Sequence, residues 1–247
     1  MKKNKVVLAF SGGLDTSYCV KYLSIEKKLE VYSAVVNTGG FSKKELIEIK
    51  EKAYHLGVIC HTTLEKTKSY YNEIVKYLIF GNVLKNNTYP LSVSAERIQQ
   101  AIAIAKYAQS IGAYAIAHGS TGAGNDQIRF DLIFELIAPG IKIITPIRDQ
   151  KLSRNSEINY LEKHGVFLDW KKAKYSINKG LWGTSIGGAE TLTSHLPLPE
   201  EAYPSKLEKK DKTSMEIEFY KGEIHSVNGK VMNPVMAIQM IEKIAKK

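Results

Sequence analysis

The most informative segment of this sequence is Val6-Val7-Leu8-Ala9-Phe10-Ser11-Gly12-Gly13-Leu14-Asp15-Thr16-Ser17. Its apolar first half predicts a buried strand, and the residues from Asp15 onward predict a helix. The two glycines between them let the backbone approach an anion, which the unpaired N–H groups at a helix N-terminus attract. Ser11, Thr16 and Ser17 add hydroxyl donors. We therefore predict a phosphate-binding loop; the alternative is a tight turn in which Asp15 only caps the helix.

A second glycine-rich segment is Ala117-His118-Gly119-Ser120-Thr121-Gly122-Ala123-Gly124-Asn125-Asp126-Gln127. It also follows a predicted strand and precedes a helical pattern, which puts it at the sheet edge where doubly wound proteins bind ligands. Arg129 lies one helical turn after Asn125 and could bind a carboxylate. Neither loop fits GxxxxGK[ST], because the first lacks lysine and the second has Asn125-Asp126 in place of Lys-Ser. The alternative is a glycine loop that only stabilises itself.

Around these loops, apolar runs alternate with helical patterns over residues 5–172, which predicts a parallel sheet with helices on its faces. The predicted strands are residues 6–10, 31–36, 58–62, 114–117 and 141–144. The predicted helices are residues 15–27, 43–56, 70–80, 95–111 and one that runs from a Ser153 cap to His164. We predict a nucleotide-binding domain over residues 1–172 and the N-terminal part of a second domain over residues 173–247.

The residue composition and the hydrophobic pattern change in the C-terminal part of the sequence. Residues 180–204 are rich in Gly, Ser, Thr and Pro without a clear period, so we predict a long, site-forming loop. Residues 215–220 alternate like a strand, and residues 227–230 predict the turn of a hairpin. A helix is predicted over residues 234–244, with Asn233 as its cap. This hairpin and helix are small for an independent domain.

Composition limits the functional classes. The net charge is +10, but the lysines are interleaved with acids, which favours a solvated surface over a nucleic-acid partner. Residues 6–10 are too short an apolar run for a signal peptide or a membrane span, so we expect a cytoplasmic protein without a membrane partner. Cys19 and Cys60 form neither a disulfide framework nor a CxxC pair. The histidines show no metal-ligand spacing, and we predict no metal site. His118, in the second loop, is more simply structural than catalytic.

Together the two loops resemble the ATP-pyrophosphatase superfamily, and further motifs resemble the argininosuccinate synthase family over nearly the whole chain. The more specific patterns are His-Gly-x-Thr-Gly-x-Gly-Asn-Asp-Gln-x-Arg-Phe, from His118, and Tyr-Ser-x-Asn-x-x-Leu-Trp, from Tyr175. Other matching segments are Asn37-Thr38-Gly39-Gly40, Thr88-Tyr89-Pro90-Leu91, Thr145-Pro146-Ile147-Arg148-Asp149 and Leu152-Ser153-Arg154. The resemblance implies a doubly wound parallel sheet of ATP-pyrophosphatase type, followed by an incomplete α+β synthetase domain.

The resemblance also implies a reaction. The family joins citrulline, or here a citrulline derivative, to aspartate in arginine biosynthesis, and ATP with Mg²⁺ is cleaved to AMP and pyrophosphate through a citrulline adenylate. No covalent nucleophile is required, so positioning and charge neutralisation should supply most of the catalysis. The implied partners are the small molecules ATP, citrulline and aspartate, and the family forms homo-oligomers.

Site residues follow by motif. The implied ATP-binding residues are Ala9, Phe10, Ser11, Gly12, Gly13, Leu14, Asp15, Thr16, Ser17, Val36 and Gly119. The implied aspartate-binding residues are Thr121, Asn125 and Asp126, the last of which reads the ammonium group. The implied citrulline-binding residues are Tyr89, Ser94, Asn125, Arg129, Ser176 and Ser185. Asp15, Asp126 and Arg129 are the implied catalytic residues.

Departures from the family qualify this expectation. Phe10 replaces a common Tyr, Ala123 replaces a common Lys, and residues 92–97 differ from the usual sequence, which could admit an N-acylated citrulline. The family continues beyond the helix at 234–244 into a segment that completes the citrulline pocket and assembles the tetramer. We therefore expect ATP binding to persist and turnover to be weak or absent unless another polypeptide supplies the rest. The alternatives are a nucleotide-binding remnant, one piece of a split enzyme, or a tRNA-thiolating enzyme, which would need a reactive cysteine near ATP.

Overall fold

The computed structural model describes residues 4–167, 175–206 and 211–245 of the 247-residue chain. Its strands are β1 (Lys5–Ala9), β2 (Glu30–Asn37), β3 (Cys60–Glu65), β4 (Ala115–Ala117), β5 (Lys142–Ile144), β6 (Ser176–Gly180), β7 (Gly183–Gly187), β8 (Ile217–Tyr220), β9 (Glu223–Val227) and β10 (Lys230–Val231). Its α-helices are α1 (Leu14–Ile25), α2 (Lys43–Leu56), α3 (Thr67–Tyr70), α4 (Lys76–Phe80), α5 (Ser92–Ser110), α6 (Asp126–Ile137), α7 (Pro146–Gln150), α8 (Arg154–Lys163) and α9 (Pro234–Ala245).

The described residues divide between two compact units. The first is drawn from Met1–Asn37, Phe41–Lys66 and Glu96–Lys172, and the second from Thr38–Gly40, Thr67–Ala95 and Ala173–Lys247. The first unit contains a five-stranded parallel sheet of order β3-β2-β1-β4-β5. The chain leaves β1 toward β2 on one side and returns to β4 on the other, so the strand order reverses between β1 and β4.

Both faces of this sheet are covered, which explains why its central strand β1 is apolar from Val6 to Ala9. Val6 and Leu8 of β1 pack into a core with residues of α1, α2 and α8, including Leu23. Val7 points to the opposite face and packs into a second core with α5 and α6, including Phe134. Successive side chains of a strand point to opposite faces, so one short strand serves both cores.

Helix α2 begins and ends on strong local signals. The Ser42 hydroxyl accepts a hydrogen bond from the Glu45 N–H at 3.2 Å, and the Glu45 carboxylate accepts one from the Ser42 N–H at 2.7 Å. This reciprocal pair is a capping box. Gly57 ends the helix at φ 97°, in the left-handed region that favours glycine. Because both ends are fixed, the position of each side chain along α2 is well defined.

The second unit has its own small core and two antiparallel sheets. One sheet is the hairpin of β6 and β7, and the other contains β8, β9 and β10. Tyr70, Tyr71 and Leu181 are buried in its core, and the Tyr71 hydroxyl donates to Glu223 at 2.9 Å. Gly40 is required here, since a Cβ at this position would lie 1.7 Å from the carbonyl oxygen of Lys179.

The parallel sheet and its helices are confirmed, but several predicted boundaries are wrong. The third strand begins at Cys60 rather than at residue 58. The predicted helix over residues 70–80 is broken by a π-helical turn, Tyr71–Val75, between α3 and α4. The short helix α7 was not predicted, although Pro146 stands at its start, where proline is favoured.

The largest error concerns residues 180–204, predicted as one long loop. They contain β7, which pairs with β6, and two short 3₁₀ turns, Ala189–Leu192 and Glu200–Ala202. The composition misled the prediction, because β7 is built from Gly, Thr, Ser and Ile and main-chain pairing rather than burial defines it. Likewise β9 was missed, so the predicted hairpin is a three-stranded meander. The Asn233 cap is confirmed, since its side chain accepts from the Met236 N–H at 3.0 Å.

Candidate nucleotide-binding site

The loop between β1 and α1 exposes backbone donors rather than charged side chains. Gly12 has φ 77°, a conformation that glycine adopts without strain. Gly13 is the N-cap of α1 and has no side chain with which to cap the helix. Residues that commonly occupy this position would satisfy the N–H groups of the first turn. The N-terminus of α1 therefore keeps its backbone donors and its partial positive charge available for an anion.

Side-chain hydroxyl groups stabilise this loop by forming hydrogen bonds with its backbone. The buried Ser17 hydroxyl donates to the Gly13 carbonyl at 2.7 Å, and the Thr16 hydroxyl donates to the same carbonyl at 3.2 Å. The Ser11 hydroxyl accepts a long hydrogen bond, 3.4 Å, from the Gly13 N–H. Ser17 thus holds the loop shape, whereas Ser11 lies at the exposed mouth of the loop.

The two glycine loops meet at the carboxyl edge of the parallel sheet. They follow β1 and β4, which are adjacent and hydrogen-bonded. A Cβ on Gly119 would lie 3.2 Å from the Cβ of Asp15 and 3.3 Å from the Thr16 backbone nitrogen. Only glycine permits this approach without displacing the backbone of α1. The contact lies where the strand order reverses, which is the ligand-binding position in sheets of this topology.

Two arginines bracket Asp126 at the start of α6. The Arg97 Nε lies 3.0 Å from Asp126 Oδ2, and an Arg129 terminal nitrogen lies 2.6 Å from Oδ1. These pairs are one-sixth to one-third exposed, so water screens them less than surface pairs. Asn125 precedes them as the exposed N-cap, and its side chain makes no capping hydrogen bond. The cluster offers both charge signs, as recognition of an amino acid requires.

A second ion network lies behind this loop. The buried His118 accepts from the Ser120 N–H through Nδ1 at 3.2 Å, so Nε2 carries the ring proton toward Asp131, 2.9 Å away. Arg148 contacts the other Asp131 oxygen at 2.6 Å. Burial alone would raise the pKa of Asp131, but the hydrogen bonds from His118 and Arg148 outweigh it and lower the pKa. Both ring nitrogens of His118 are used, so the structural role expected for it fits the geometry.

Asp15, in the first turn of α1, has a buried acidic neighbour. Glu157 of α8 is 3% exposed, and its Oε2 has no hydrogen-bond partner among the described residues. Burial, followed by the nearby Asp15 carboxylate, raises the pKa of Glu157 to about 8. A carboxyl pair formed by α1 and α8 therefore lies beside the first loop, whereas pairs of opposite charge lie beside the second.

Several of these residues were missed from the sequence, although a signal was present. Lys52, whose Nζ donates to the Gly12 carbonyl, and Glu157 are charged residues on the buried faces of α2 and α8. Arg97 is a half-buried charge near the start of α5. Lys52, for example, falls between Ile49 and Leu56 at helical spacing. Charged side chains on a buried face usually have a specific partner, and such positions deserved inclusion in the predicted site.

The remaining ATP-site candidates lie at the same edge of the first unit. Val36, near the end of β2, is 5% exposed. Phe10 is 2% exposed and packs edge-on against His61, with ring centroids 6.1 Å apart. Because its side chain is in the core, Phe10 can face a ligand only through its backbone. In the second loop, the aspartate-site candidate Thr121 and its neighbour Ala123 are exposed.

The other citrulline candidates belong to the second unit. The Tyr89 hydroxyl accepts hydrogen bonds from the N–H groups of Val93 at 3.0 Å and Ser94 at 3.3 Å. Burial acts to raise the pKa of Tyr89, but the donors from Ser94 and its neighbours outweigh it and lower the pKa. Ser176 and Ser185 lie on facing strands of the β6–β7 hairpin, where Ser176 pairs with Gly187 and Asn178 pairs with Ser185. The two serines therefore share one face of the hairpin.

The cysteines bear on the thiolation alternative. Cys19 is fully buried in α1, and burial, followed by the charge of Asp15, raises the pKa of its thiol well above the ordinary value. A thiol in this environment is a poor nucleophile. Cys60 begins β3 and is half-buried.

Two absences concern the described part of the chain only. Residues 4–167, 175–206 and 211–245 contain no helix with the length and apolar character needed to cross a membrane. Within those same ranges, His, Cys, Asp and Glu side chains form no group of three or more suited to a metal ion.

A parallel sheet of order β3-β2-β1-β4-β5, with glycine loops meeting beyond β1 and β4, is an α/β fold of the ATP-pyrophosphatase, or HUP, type. Comparison with known proteins narrows this class. Residues 5–167 match the family model described as the arginosuccinate synthase N-terminal HUP domain. The chain belongs to the argininosuccinate synthase family.

Alignments with individual relatives support the same family. The chain is 39% identical over 244 residues to the argininosuccinate synthase of Methanocaldococcus jannaschii, an alignment that covers 98% of this chain and 61% of that protein. It is 36% identical to the enzyme of that name from Sulfolobus acidocaldarius, with 97% and 61% covered. For Dictyoglomus turgidum the identity is 37%, with 99% and 62% covered. The chain thus spans about 61% of the length of these relatives.

Proposed function

We propose that this chain binds ATP at the two glycine loops and serves as the nucleotide-binding part of a ligase acting in arginine biosynthesis. The ligase would join citrulline, or a citrulline derivative, to aspartate, forming argininosuccinate, AMP and pyrophosphate. The observation that carries the proposal is the contact of Gly119 with the backbone of Asp15 and Thr16. The two glycine loops come together at the point where the strand order reverses, which is the ligand-binding position in sheets of this topology.

The first loop would hold the phosphates. The uncapped N-terminus of α1 supplies backbone donors and a positive dipole end for the ATP polyphosphate. Residues 9–17, with Val36 and Gly119, form the proposed ATP site. Its donors would also stabilise the negative charge that develops on the phosphorus and on departing pyrophosphate.

The second loop would present the amino-acid substrates. In this proposal Thr121, Asn125 and Asp126 bind aspartate, and the Asp126 carboxylate receives the ammonium group. The proposed citrulline residues are Tyr89, Ser94, Asn125, Arg129, Ser176 and Ser185. The citrulline ureido oxygen attacks the α-phosphorus and pyrophosphate leaves; the aspartate amine then displaces AMP from the citrulline adenylate. Asp15, Asp126 and Arg129 act by positioning and by charge, since neither step needs a protein nucleophile.

Mg²⁺ fits this site as a companion of ATP. Mg²⁺ in nucleotide enzymes commonly keeps several waters and is held by phosphate oxygens with one or two carboxylates. The described residues offer no cluster of three such ligands, and Asp15 is the acidic residue in the first turn of α1, beside the proposed phosphate donors. Mg²⁺ would reduce repulsion between the phosphates and the attacking oxygen.

The first test is ATP binding, measured by calorimetry with Mg²⁺ on the 247-residue chain. We expect ATP to bind and Gly13→Asp to weaken binding by about tenfold or more, because the new carboxylate would cap α1 and repel the phosphates. Gly13 has φ −74°, which any residue adopts, so the variant should fold. Ser153→Asp is the matched control, since it puts the same charge at the N-cap of α8 and should leave ATP binding unchanged.

A turnover assay distinguishes a ligase from a chain that only binds nucleotide. In the alternative, the chain binds nucleotide without independent turnover. Release of AMP and pyrophosphate that depends on both citrulline and aspartate would identify a complete ligase. ATP binding without such release identifies the alternative. No binding of ATP by the wild-type chain would overturn both.

A further inference from the structure

The phosphate-binding loop has no lysine of its own, yet a lysine from another element touches it. Lys52, on α2, donates from Nζ to the carbonyl oxygen of Gly12 at 2.5 Å. Ile49 of α2 lies close to the same point, since a Cβ on Gly12 would lie 3.5 Å from Ile49 Cγ1 and 3.9 Å from Lys52 Cδ. Lys52 is half-buried, whereas Lys43, Lys44 and Lys50 of the same helix are exposed.

This hydrogen bond fixes the direction of one peptide group. The carbonyl of Gly12 and the N–H of Gly13 belong to the same planar trans peptide, so they point in opposite directions. With the carbonyl drawn toward Lys52, the Gly13 N–H is turned away from α2. Its partner there is the exposed Ser11 hydroxyl at 3.4 Å, a long bond that a phosphate oxygen can replace. Without this hydrogen bond, the Gly12–Gly13 peptide could rotate more easily. Gly12, at φ 77°, has no side chain to restrict its backbone torsions.

We propose that Lys52 is a positioning residue of the ATP site: its ammonium group holds the Gly12–Gly13 peptide so that the Gly13 N–H faces the polyphosphate. The inference rests on the proposed function, because it assigns a phosphate to the first loop. In this arrangement the lysine acts through the backbone, whereas in the GxxxxGK[ST] loop lysine touches the phosphates directly. Lys52 also adds a positive charge beneath the loop, and this charge has the same sign as the partial charge at the N-terminus of α1.

The test compares Lys52→Met with Lys50→Met, which removes the same charge from the exposed face of the same helix. Calorimetry measures the affinity of each variant for ATP and for adenosine, and nuclear magnetic resonance records the Gly13 amide signal without ligand. We expect Lys52→Met to lower ATP affinity about tenfold, the effect of losing one charge-assisted hydrogen bond. Adenosine affinity should change less than about twofold, because adenosine has no phosphate. Lys52→Arg, which retains the donor, should recover part of the ATP affinity.

Each outcome is decisive. A shifted Gly13 signal together with a loss confined to ATP supports the proposal. It is overturned if Lys52→Met binds ATP as Lys50→Met does, or if ATP and adenosine affinities fall equally, as general damage to the fold would produce. Lys52→Gln replaces Lys52→Met if circular dichroism shows that the methionine variant is unfolded. Failure of the wild-type chain to bind ATP overturns the proposed function; an unshifted Gly13 signal in Lys52→Met independently overturns the positioning role.

Discussion

The loop after β1 is held by backbone geometry, whereas the loop after β4 is held by ion pairs between side chains. In the first loop, Gly12 and Gly13 set the path, and hydroxyl groups brace the Gly13 carbonyl. At the second loop and in the helix α6 that follows it, Asp126 lies between two arginines and Asp131 lies between His118 and Arg148. Both loops nevertheless reach the same edge of one sheet.

The difference matches the ligands proposed for each loop. A polyphosphate carries dense negative charge, and uncapped N–H groups bind it without a side chain that would compete for the same space. An amino acid carries one positive and one negative group, so its site needs side chains of both signs at fixed positions. The two loops therefore predict different responses to substitution: the first should be sensitive to added atoms, and the second to removed charge.

The largest effect is expected where the loops touch. In Gly119→Val, the added side chain would press on Asp15 and Thr16, because even a Cβ at this position would lie 3.2 Å from the Asp15 Cβ and 3.3 Å from the Thr16 backbone nitrogen. Because backbone rather than a flexible side chain must move, we expect a stability loss of about 3 kcal/mol and a roughly 100-fold loss of ATP affinity. Urea unfolding and calorimetry measure the two quantities.

Gly124→Val is the matched control for this prediction, since a Cβ at Gly124 meets nothing within 4 Å. It lies in the second loop and should leave ATP affinity almost unchanged. Both variants add a side chain to the second loop, but only Gly119→Val presses on the backbone of the first. Equal losses in the two variants would show that the contact with the first loop is not the cause, and the contrast between the loops would fail.

A smaller effect is expected when charge is removed from the second loop. Asp126→Asn leaves the Arg97 and Arg129 guanidinium groups facing a neutral amide, so we expect a stability loss of about 2 kcal/mol. The loss should shrink in high salt, which already screens the wild-type pairs. Glu48→Gln is the control, because its pair with Lys44 is largely exposed and should contribute little. ATP affinity should stay within about twofold in Asp126→Asn; a tenfold loss would show that both loops contact the nucleotide through charge.

The sequence predicts the first unit well because its signals are local. The apolar run of β1 specifies a strand buried on both faces, and the capping box at Ser42 marks the start of α2 to the residue. The second unit was harder to predict. Its β6–β7 hairpin is made of small and polar residues whose pairing is a property of two segments together, so neither segment alone indicates a strand.

The same distinction separates the site residues that were predicted from those that were not. Both glycine loops are continuous in sequence, and their chemistry can be read directly. Lys52 reaches Gly12 across 40 positions, and Arg97 reaches Asp126 across 29. Such contacts depend on how helices pack, and the sequence shows only that a charged residue stands on an apolar face. The roles of the predicted site residues themselves stay predictions until ligand binding is measured.

The smallest effect concerns the carboxyl pair beneath the first loop and should depend on pH. Glu157 has its pKa raised from 4.5 to about 8 by burial and by Asp15. Between these pH values the folded chain binds a proton that the unfolded chain does not, so this group makes stability fall as pH rises from about 4.5 to 8. Glu157→Gln mimics the protonated acid and can donate to Asp15. We expect it to stabilise the chain at pH 8 and to have no effect near pH 4.

Urea unfolding across this pH range measures the difference, with Glu162→Gln, an exposed substitution on the same helix, as the control that should show no such trend. The sign of the result bears on the comparison of the loops. If Glu157→Gln is destabilising at pH 8, the ionised Glu157 must be compensated by a cation such as Arg154, and the first loop would then depend on ion pairs as the second does. If it is stabilising, the like-charged pair is an unfavourable feature of the free chain, which a cation bound with the phosphates would relieve.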